Sequence, residues 1–177
     1  MELTVRKVRL SSADIKRIYL EAFPPEERMP FPLMVAMSKL WNTEFWGFYD
    51  NGLPCGLIYL ATGRDTVFVM FLAVDRPLRS KGYGRAILRQ MRARYPDKKM
   101  IVSIEPCSGN SPGLALRKRR KAFYLRNGYA ETGYQMRLGG VEQEILIANG
   151  SFSTREFRLF LALYSFGAAC PRIWRVG

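Results

Sequence analysis

Two glycines one residue apart stand in the stretch Arg79-Ser-Lys-Gly82-Tyr-Gly84-Arg85. An apolar run precedes it and an arginine-rich stretch of helical period follows it. At a strand-to-helix turn, residues without a Cβ let backbone N–H groups converge, and the positive end of the next helix adds its field. Arg79, Lys81 and Arg85 bring further positive charge to the same turn. The chemistry this suits is the binding of phosphate. It is neither of the common nucleotide loops, because GxxxxGK[ST] is absent and GxGxxG is incomplete. The chain contains no histidine, which excludes His-based triads, His general bases and His-ligated metal sites. Its cysteines, Cys55, Cys107 and Cys170, form no CxxC pair, so neither a zinc ribbon nor a disulfide framework is expected, and a reducing, cytoplasmic setting is. No metal site is expected.

The charge points the same way. The 177 residues carry 28 Lys and Arg against 15 Asp and Glu, a net +13. Between Arg76 and Arg137 there are 16 bases and three acids, while the rest of the chain is balanced. A positive field concentrated in one segment attracts polyanions: nucleic acid, anionic lipid or a phosphorylated cofactor. The N-terminus shows no apolar signal segment, and the uncharged stretch from Leu159 to Pro171 is shorter than the roughly 20 apolar residues that span a bilayer. No membrane partner is expected. With 48% hydrophobic residues, the chain reads as a single domain over residues 1–177.

The elements that must position the loop follow from periodicity and turn residues. Leu3 to Arg9 alternates as a first strand, and Ser11 or Ser12 starts a helix through about Phe23, with a second, short helix from Pro32 to Trp41. Glu44–Tyr49 and Gly56–Ala61 flank an Asn-Gly turn as a hairpin. The continuous apolar run Thr66 to Val74 suits a central strand. A helix from Gly84 to Tyr95 turns Ile87, Leu88 and Met91 inward. Met100–Ile104 is the next strand. A basic helix runs from Leu114 to Arg126 and stops at Asn127-Gly128. Tyr134–Leu138 and Glu144–Ala148 are strands around Gly139-Gly140, and Ser153-x-x-Glu156 caps a last helix through Tyr164. This order predicts a mixed α/β fold: a central, mostly antiparallel sheet of six or seven strands with helices on both faces.

Arg79-x-x-Gly82-x-Gly84 at a strand-to-helix junction resembles the acetyl-CoA pyrophosphate loop of the GNAT superfamily of N-acetyltransferases, whose pattern is [Gln/Arg]-x-x-Gly-x-[Gly/Ala]. About 40 residues on, Ala122-Phe-Tyr124-Leu-Arg-Asn-Gly128-Tyr129 is similar to the family's Phe-Tyr-x-x-x-Gly-Phe stretch, with Tyr129 where Phe is commoner. The order of elements fits along nearly the whole chain. The resemblance implies acetyl-CoA as cosubstrate. Leu72, Ala73 and Val74 would offer backbone groups to pantetheine. Arg79, Ser80, Lys81, Gly82, Tyr83, Gly84 and Arg85 would hold the pyrophosphate. Tyr124 matches the tyrosine that often protonates the departing thiolate. Many members carry a Glu on the strand ahead of the loop, and residues 66–70 have none. Glu105, at the end of the next strand, is the nearest candidate base, and a water relay is the alternative. Glu26 and Glu27, in the Pro-rich turn after the first helix, are candidates for the acceptor site. The family's frequent Asn one helical stretch before the Tyr is Arg117 here, with Asn110 as a substitute.

The function expected is acetyl transfer from acetyl-CoA to a primary amine by direct attack in a ternary complex. No cysteine sits with a base, so no covalent intermediate is expected. A nucleic-acid- or ribosome-associated basic module, and a GNAT-like CoA binder without transferase activity, are the alternatives. The basic run Arg117-Lys-Arg-Arg-Lys121 suits either a 3′-phosphate contact, an acidic partner or a solvated helix face. The last helix, with Phe157, Phe160, Leu161 and Tyr164, covers the sheet or faces a partner. The state expected is monomer or homodimer.

Overall fold

The apolar run that reads as a central strand is a strand over its full length, β4 (Thr66–Val74), and the strand–turn–helix order around it holds in the computed structural model, which describes residues 1–108 and 113–176. The chain divides into two compact units, residues 1–62 with 69–96 and residues 63–68 with 97–177. The described residues form five α-helices and eight strands, a mixed α/β class.

The first unit contains β1 (Thr4–Lys7), α1 (Ala13–Ala22), α2 (Phe31–Met37), β2 (Thr43–Asp50), β3 (Leu53–Thr62), most of β4 and α3 (Tyr83–Arg94). Its strands lie in the order β1-β2-β3-β4. β1 and β3 each pair antiparallel with β2. Asn51 and Gly52 close the β2–β3 hairpin with φ of 47° and 82°, both positive as this turn demands. Ile15, Ile18 and Tyr19 of α1 and Phe31, Met34 and Val35 of α2 are buried in one cluster with Phe45, Tyr49, Leu57, Tyr59 and Ala73. The Tyr19 hydroxyl enters this core because it is satisfied twice, accepting from the Met29 N–H at 2.8 Å and donating to the Met29 carbonyl at 3.1 Å. Ala86, Ile87, Leu88 and Met91 form the buried side of α3, as the period predicts.

The second unit contains β5 (Lys99–Ile104), α4 (Leu114–Arg126), β6 (Ala130–Leu138), β7 (Val141–Ala148), α5 (Thr154–Tyr164) and β8 (Arg172–Arg175). Its strands lie in the order β5-β7-β6-β8, each pair antiparallel. The Ser153 hydroxyl accepts from the Glu156 N–H at 3.3 Å and caps α5. Phe157 packs edge-on against Phe68, ring centroids 5.4 Å apart.

The departures from expectation include two element ends, one cap and one extra strand. α2 ends at Met37, because the Ser38 hydroxyl donates to the Val35 carbonyl at 2.8 Å and the next two N–H groups bond three residues back. β6 begins at Ala130, its alternation hidden by an irregularity between Glu131 and Gln135. Ser12 starts α1 without capping it, its hydroxyl accepting instead from the Arg9 N–H at 3.0 Å. β8 is an additional strand, too short at Arg-Ile-Trp-Arg to show a period.

One glycine sets how closely β3 and β4 approach. A Cβ on Gly56 would lie 2.6 Å from the Ala73 carbonyl oxygen and 2.7 Å from the Ile87 side chain. Backbone on one side and the buried face of α3 on the other leave nothing that can yield cheaply. Gly56→Ala should therefore destabilise the protein by about 1–3 kcal/mol, the usual cost of overpacking, seen as a lower urea midpoint. An unchanged midpoint would mean that β4 moves freely.

Candidate functional site

The phosphate-binding turn is assembled inside the first unit, where β4 ends. Asp75 follows β4 and is buried. Its N–H donates to the Cys55 carbonyl of β3 at 2.9 Å. Its carboxylate accepts from the Arg76 N–H at 2.9 Å and so caps a 3-10 turn, Arg76–Leu78. Arg17 of α1 grips the same carboxylate with two nitrogens, Nη1 to Oδ1 at 3.1 Å and Nη2 to Oδ2 at 2.9 Å. These bonds hold the Asp75 carboxyl below the usual carboxylate range, Arg17 being the largest cause, and push the Arg17 guanidinium upward.

Beyond this turn the chain doubles back through Ser80, φ 66°, and Gly82, φ 90°. Gly82 is the N-cap of α3, its carbonyl accepting the Ala86 N–H at 3.0 Å. A Cβ built on Gly82 meets nothing within 4 Å. The first-turn N–H groups of α3, from Tyr83, Gly84 and Arg85, have no helical acceptor, and the space over the cap is open. Lys81 and Arg85 are exposed beside it. A phosphate group fits this donor set: converging amides, the positive end of a helix and two cations. Arg79 is partly committed, its Nε donating to the Val74 carbonyl at 3.2 Å. Tyr83 is an anchor: its hydroxyl donates to Asp50 at 2.8 Å and ties the start of α3 to the β2–β3 turn. Ala73 is buried, and Leu72 and Val74 are half-buried, directly upstream.

Glu26 and Glu27 stand on an exposed 3-10 turn, Pro25–Glu27. Arg28 fastens that turn to α1, its guanidinium donating to the Phe23 and Leu20 carbonyls at 2.6 and 2.5 Å.

In the second unit Tyr124 is the buried residue of α4. Its ring meets Phe123 and Tyr129 edge-on at 5.1 and 5.3 Å. Burial pushes its phenol up to about 12, against a small opposing pull from Arg120. Glu105 is held through both oxygens, by Arg117 at 3.2 Å and Arg120 at 2.9 Å. Each oxygen keeps a second lone pair, so the two guanidiniums anchor Glu105 to α4 without using all of its acceptor capacity. Lys121 binds Glu131 at 2.9 Å and Glu144 at 2.5 Å, beside a cleft of about 200 Å³ lined by Cys107, Tyr134 and Glu144. Three members of the basic run thus serve internal ion pairs, which periodicity could not show. Asn110 lies outside the described residues. Burial pushes the Cys55 thiol up to about 11, which makes it inert as a nucleophile.

Sequence reasoning singled out the loop and missed what holds it. Asp75 carried a local signal, an Asp one residue before a turn that contains Pro77. Arg17, 58 residues away in sequence, carried none.

Comparison with known proteins bears on the family and the fold. Residues 41–131 match the family profile of the acetyltransferase (GNAT) domain. No curated protein matches the chain by sequence. Among solved structures, the fold is similar to a GNAT-family protein from Bacteroides thetaiotaomicron, with 18% identity over 93% of this chain and 99% of that one and a TM-score of 0.73. It is also similar to the ribosomal-protein-S18-alanine N-acetyltransferase from Escherichia coli, with 15% identity, 85% and 96% coverage and a TM-score of 0.62. A third is a GNAT-family acetyltransferase from Elizabethkingia anophelis with acetyl-CoA bound, with 16% identity, 82% and 95% coverage and a TM-score of 0.54. At these identities the likeness concerns the fold.

The Arg17–Asp75 pair gives stability a defined pH dependence. A carboxyl whose pKa is lowered by folding stabilises fully above its unfolded value, about 3.9. That contribution is lost as pH falls through the lower folded value. Asp75→Asn should lower the melting temperature at pH 7, and the gap from the parent protein should close as the pH drops below about 4. A gap that persists at low pH would show that Asp75 acts through packing alone.

Proposed function

The chain belongs to the GNAT family of acetyltransferases, and we propose that it moves an acetyl group from acetyl-CoA to a primary amine by direct attack in a ternary complex. The open N-terminus of α3 behind Gly82 carries this reading. It presents unobstructed amides and two cations where the family's pyrophosphate loop runs, and so meets a multiply charged cosubstrate. Bound acetyl-CoA supplies an acetyl group already activated as a thioester.

The roles of this chain's own groups follow. The N–H groups of Arg79 to Arg85, with Lys81 and Arg85 alongside, hold the pyrophosphate. The backbone of Leu72, Ala73 and Val74 pairs with the pantetheine arm as an added strand would. Tyr124 assists departure of the sulfur. With its pKa at about 12, the phenol stays protonated at every physiological pH and is always loaded as a donor. Complete transfer to a thiolate of ordinary pKa near 8.5 would run uphill by roughly 5 kcal/mol. Tyr124 Oη therefore works as a hydrogen-bond donor to developing charge, which is weaker help than a matched acid gives. Glu105, held by Arg117 and Arg120, fixes the first turns of α4 and is the candidate base for the amine proton, with a water relay as the alternative. Glu26 and Glu27 are the carboxylates assigned to attract the acceptor's ammonium, and their exposure leaves them accessible to it. The paired state of Arg117, Arg120 and Lys121 lowers the charge that a nucleic-acid module would need from this helix.

Two variants test this reading. Gly84 lies inside α3 with helical backbone, and an acid in a first helical turn is favourable to the helix. Gly84→Asp should fold normally yet bind acetyl-CoA at least about tenfold more weakly for each charge-assisted bond it displaces. Unchanged affinity by calorimetry in the folded variant would sink the loop assignment. Tyr124→Phe keeps the ring and removes the donor. Its kcat should fall toward the low end of proton-donor effects, about 10²-fold, with KM for acetyl-CoA nearly unchanged. Turnover at the parent rate, with chemistry limiting, would return Tyr124 to a packing role.

A further inference from the structure

One side of α5 is buried, and the other carries two leucines beside its charged residues. Phe157, Phe160, Leu161 and Tyr164 are buried. Leu159 and Leu163, four residues apart and so on one face, are 59% and 64% exposed. Just past the helix end, Phe166 is 83% exposed. Phe166 follows the C-cap Ser165 and holds φ at 54°, a left-handed conformation that suits glycine and strains a bulky residue. The Gly167 N–H closes this end on the Ala162 carbonyl at 2.7 Å. The ring therefore sits almost wholly in water, at a position where glycine would be less strained.

Arginines accompany these apolar side chains. Arg155, one turn before Leu159, is exposed. Arg158 is exposed too and donates to the Ile173 carbonyl at 3.2 Å, next to the exposed Arg172 of β8. Glu156, the one acid between residues 150 and 176, is paired with Lys99 at 2.7 Å. A second copy of a +13 chain would meet repulsion at such a face. An anionic lipid surface meets attraction from the arginines and burial from the apolar side chains.

We propose that the outward face of α5 docks this protein on an anionic membrane surface. Leu159, Leu163 and Phe166 enter the boundary between headgroups and acyl chains, while Arg155 and Arg158 meet lipid phosphates. This is attachment from one side, since no helix among the described residues is long and apolar enough to cross a membrane. The inference stands apart from the acetyl-transfer reading.

The test sediments the full chain with vesicles of phosphatidylcholine containing phosphatidylglycerol, and with phosphatidylcholine alone. Each arginine near an anionic surface is worth about fivefold in affinity, so the mixed vesicles should bind at least tenfold more tightly, less so at high salt. Leu163→Glu with Phe166→Glu should abolish binding while keeping a cooperative melt. If that pair does not fold, Arg155→Glu, on an exposed side chain, should still weaken binding severalfold. Phe166→Gly separates docking from folding: it should bind vesicles less well yet melt about 2–4 °C higher. Equal binding to both vesicle types, or none, overturns the proposal. So does full vesicle binding by Phe166→Gly, or a dimer in light scattering that Leu163→Glu dissolves in a protein that ignores vesicles.

Discussion

A buried carboxylate at the end of β4 organises the first unit. Asp75 is the one charged residue that is buried among the described residues, and burying a charge is tolerable only when it is paired and hydrogen-bonded. Arg17 from α1 and the Arg76 N–H of its own 3-10 turn bond the carboxylate, while the backbone N–H of the same residue donates to the Cys55 carbonyl of β3. The carboxylate thus ties the helix to the turn, and the backbone N–H of the same residue ties the turn to β3. The loop that follows inherits its direction from that arrangement. Gly56, Ala73 and Ile87 set the spacing beneath it, and Tyr83 with Asp50 pins where α3 begins. The amides at the head of α3 are aimed by this frame and need no side chain of their own.

The large positive charge divides into two kinds. Some of it is structural: Arg17, Arg117, Arg120 and Lys121 each close an ion pair within one unit. Exposed pairs of this sort contribute little each, but at Glu105 and Lys121 two partners share one group, which restricts how α4 can turn. The rest is field. Lys81 and Arg85 stand beside the open helix end, and Arg155 and Arg158 beside the exposed leucines of α5, the two places where anionic partners are proposed.

Sequence carried the local features well. β4 and α4 begin and end where their patterns do, at Thr66 and Val74 and at Leu114 and Arg126, because a continuous apolar run and an Asn-Gly stop are local signals. The glycines of the loop were legible for the same reason. What was hidden depends on distant partners. Arg17 looks like any exposed helix arginine until Asp75 is placed against it. Glu105 reads as a free carboxylate until α4 lays two arginines on it. β8 is too short to have a period, and α2 stops early through a single serine hydroxyl. For α5 the sequence left open whether Phe157, Phe160, Leu161 and Tyr164 cover the sheet or face a partner, because a helical period alone does not say which face is covered.

The acetyl-transfer proposal depends on bare backbone amides at the head of α3 gripping the pyrophosphate of acetyl-CoA. Amide-resolved NMR titration of the intact protein with acetyl-CoA tests it most directly. The account predicts that the N–H signals of Gly82, Tyr83, Gly84 and Arg85 show the largest downfield shifts and gain protection from hydrogen exchange. Those four amides staying unchanged at saturating acetyl-CoA, with shifts confined elsewhere, would contradict it.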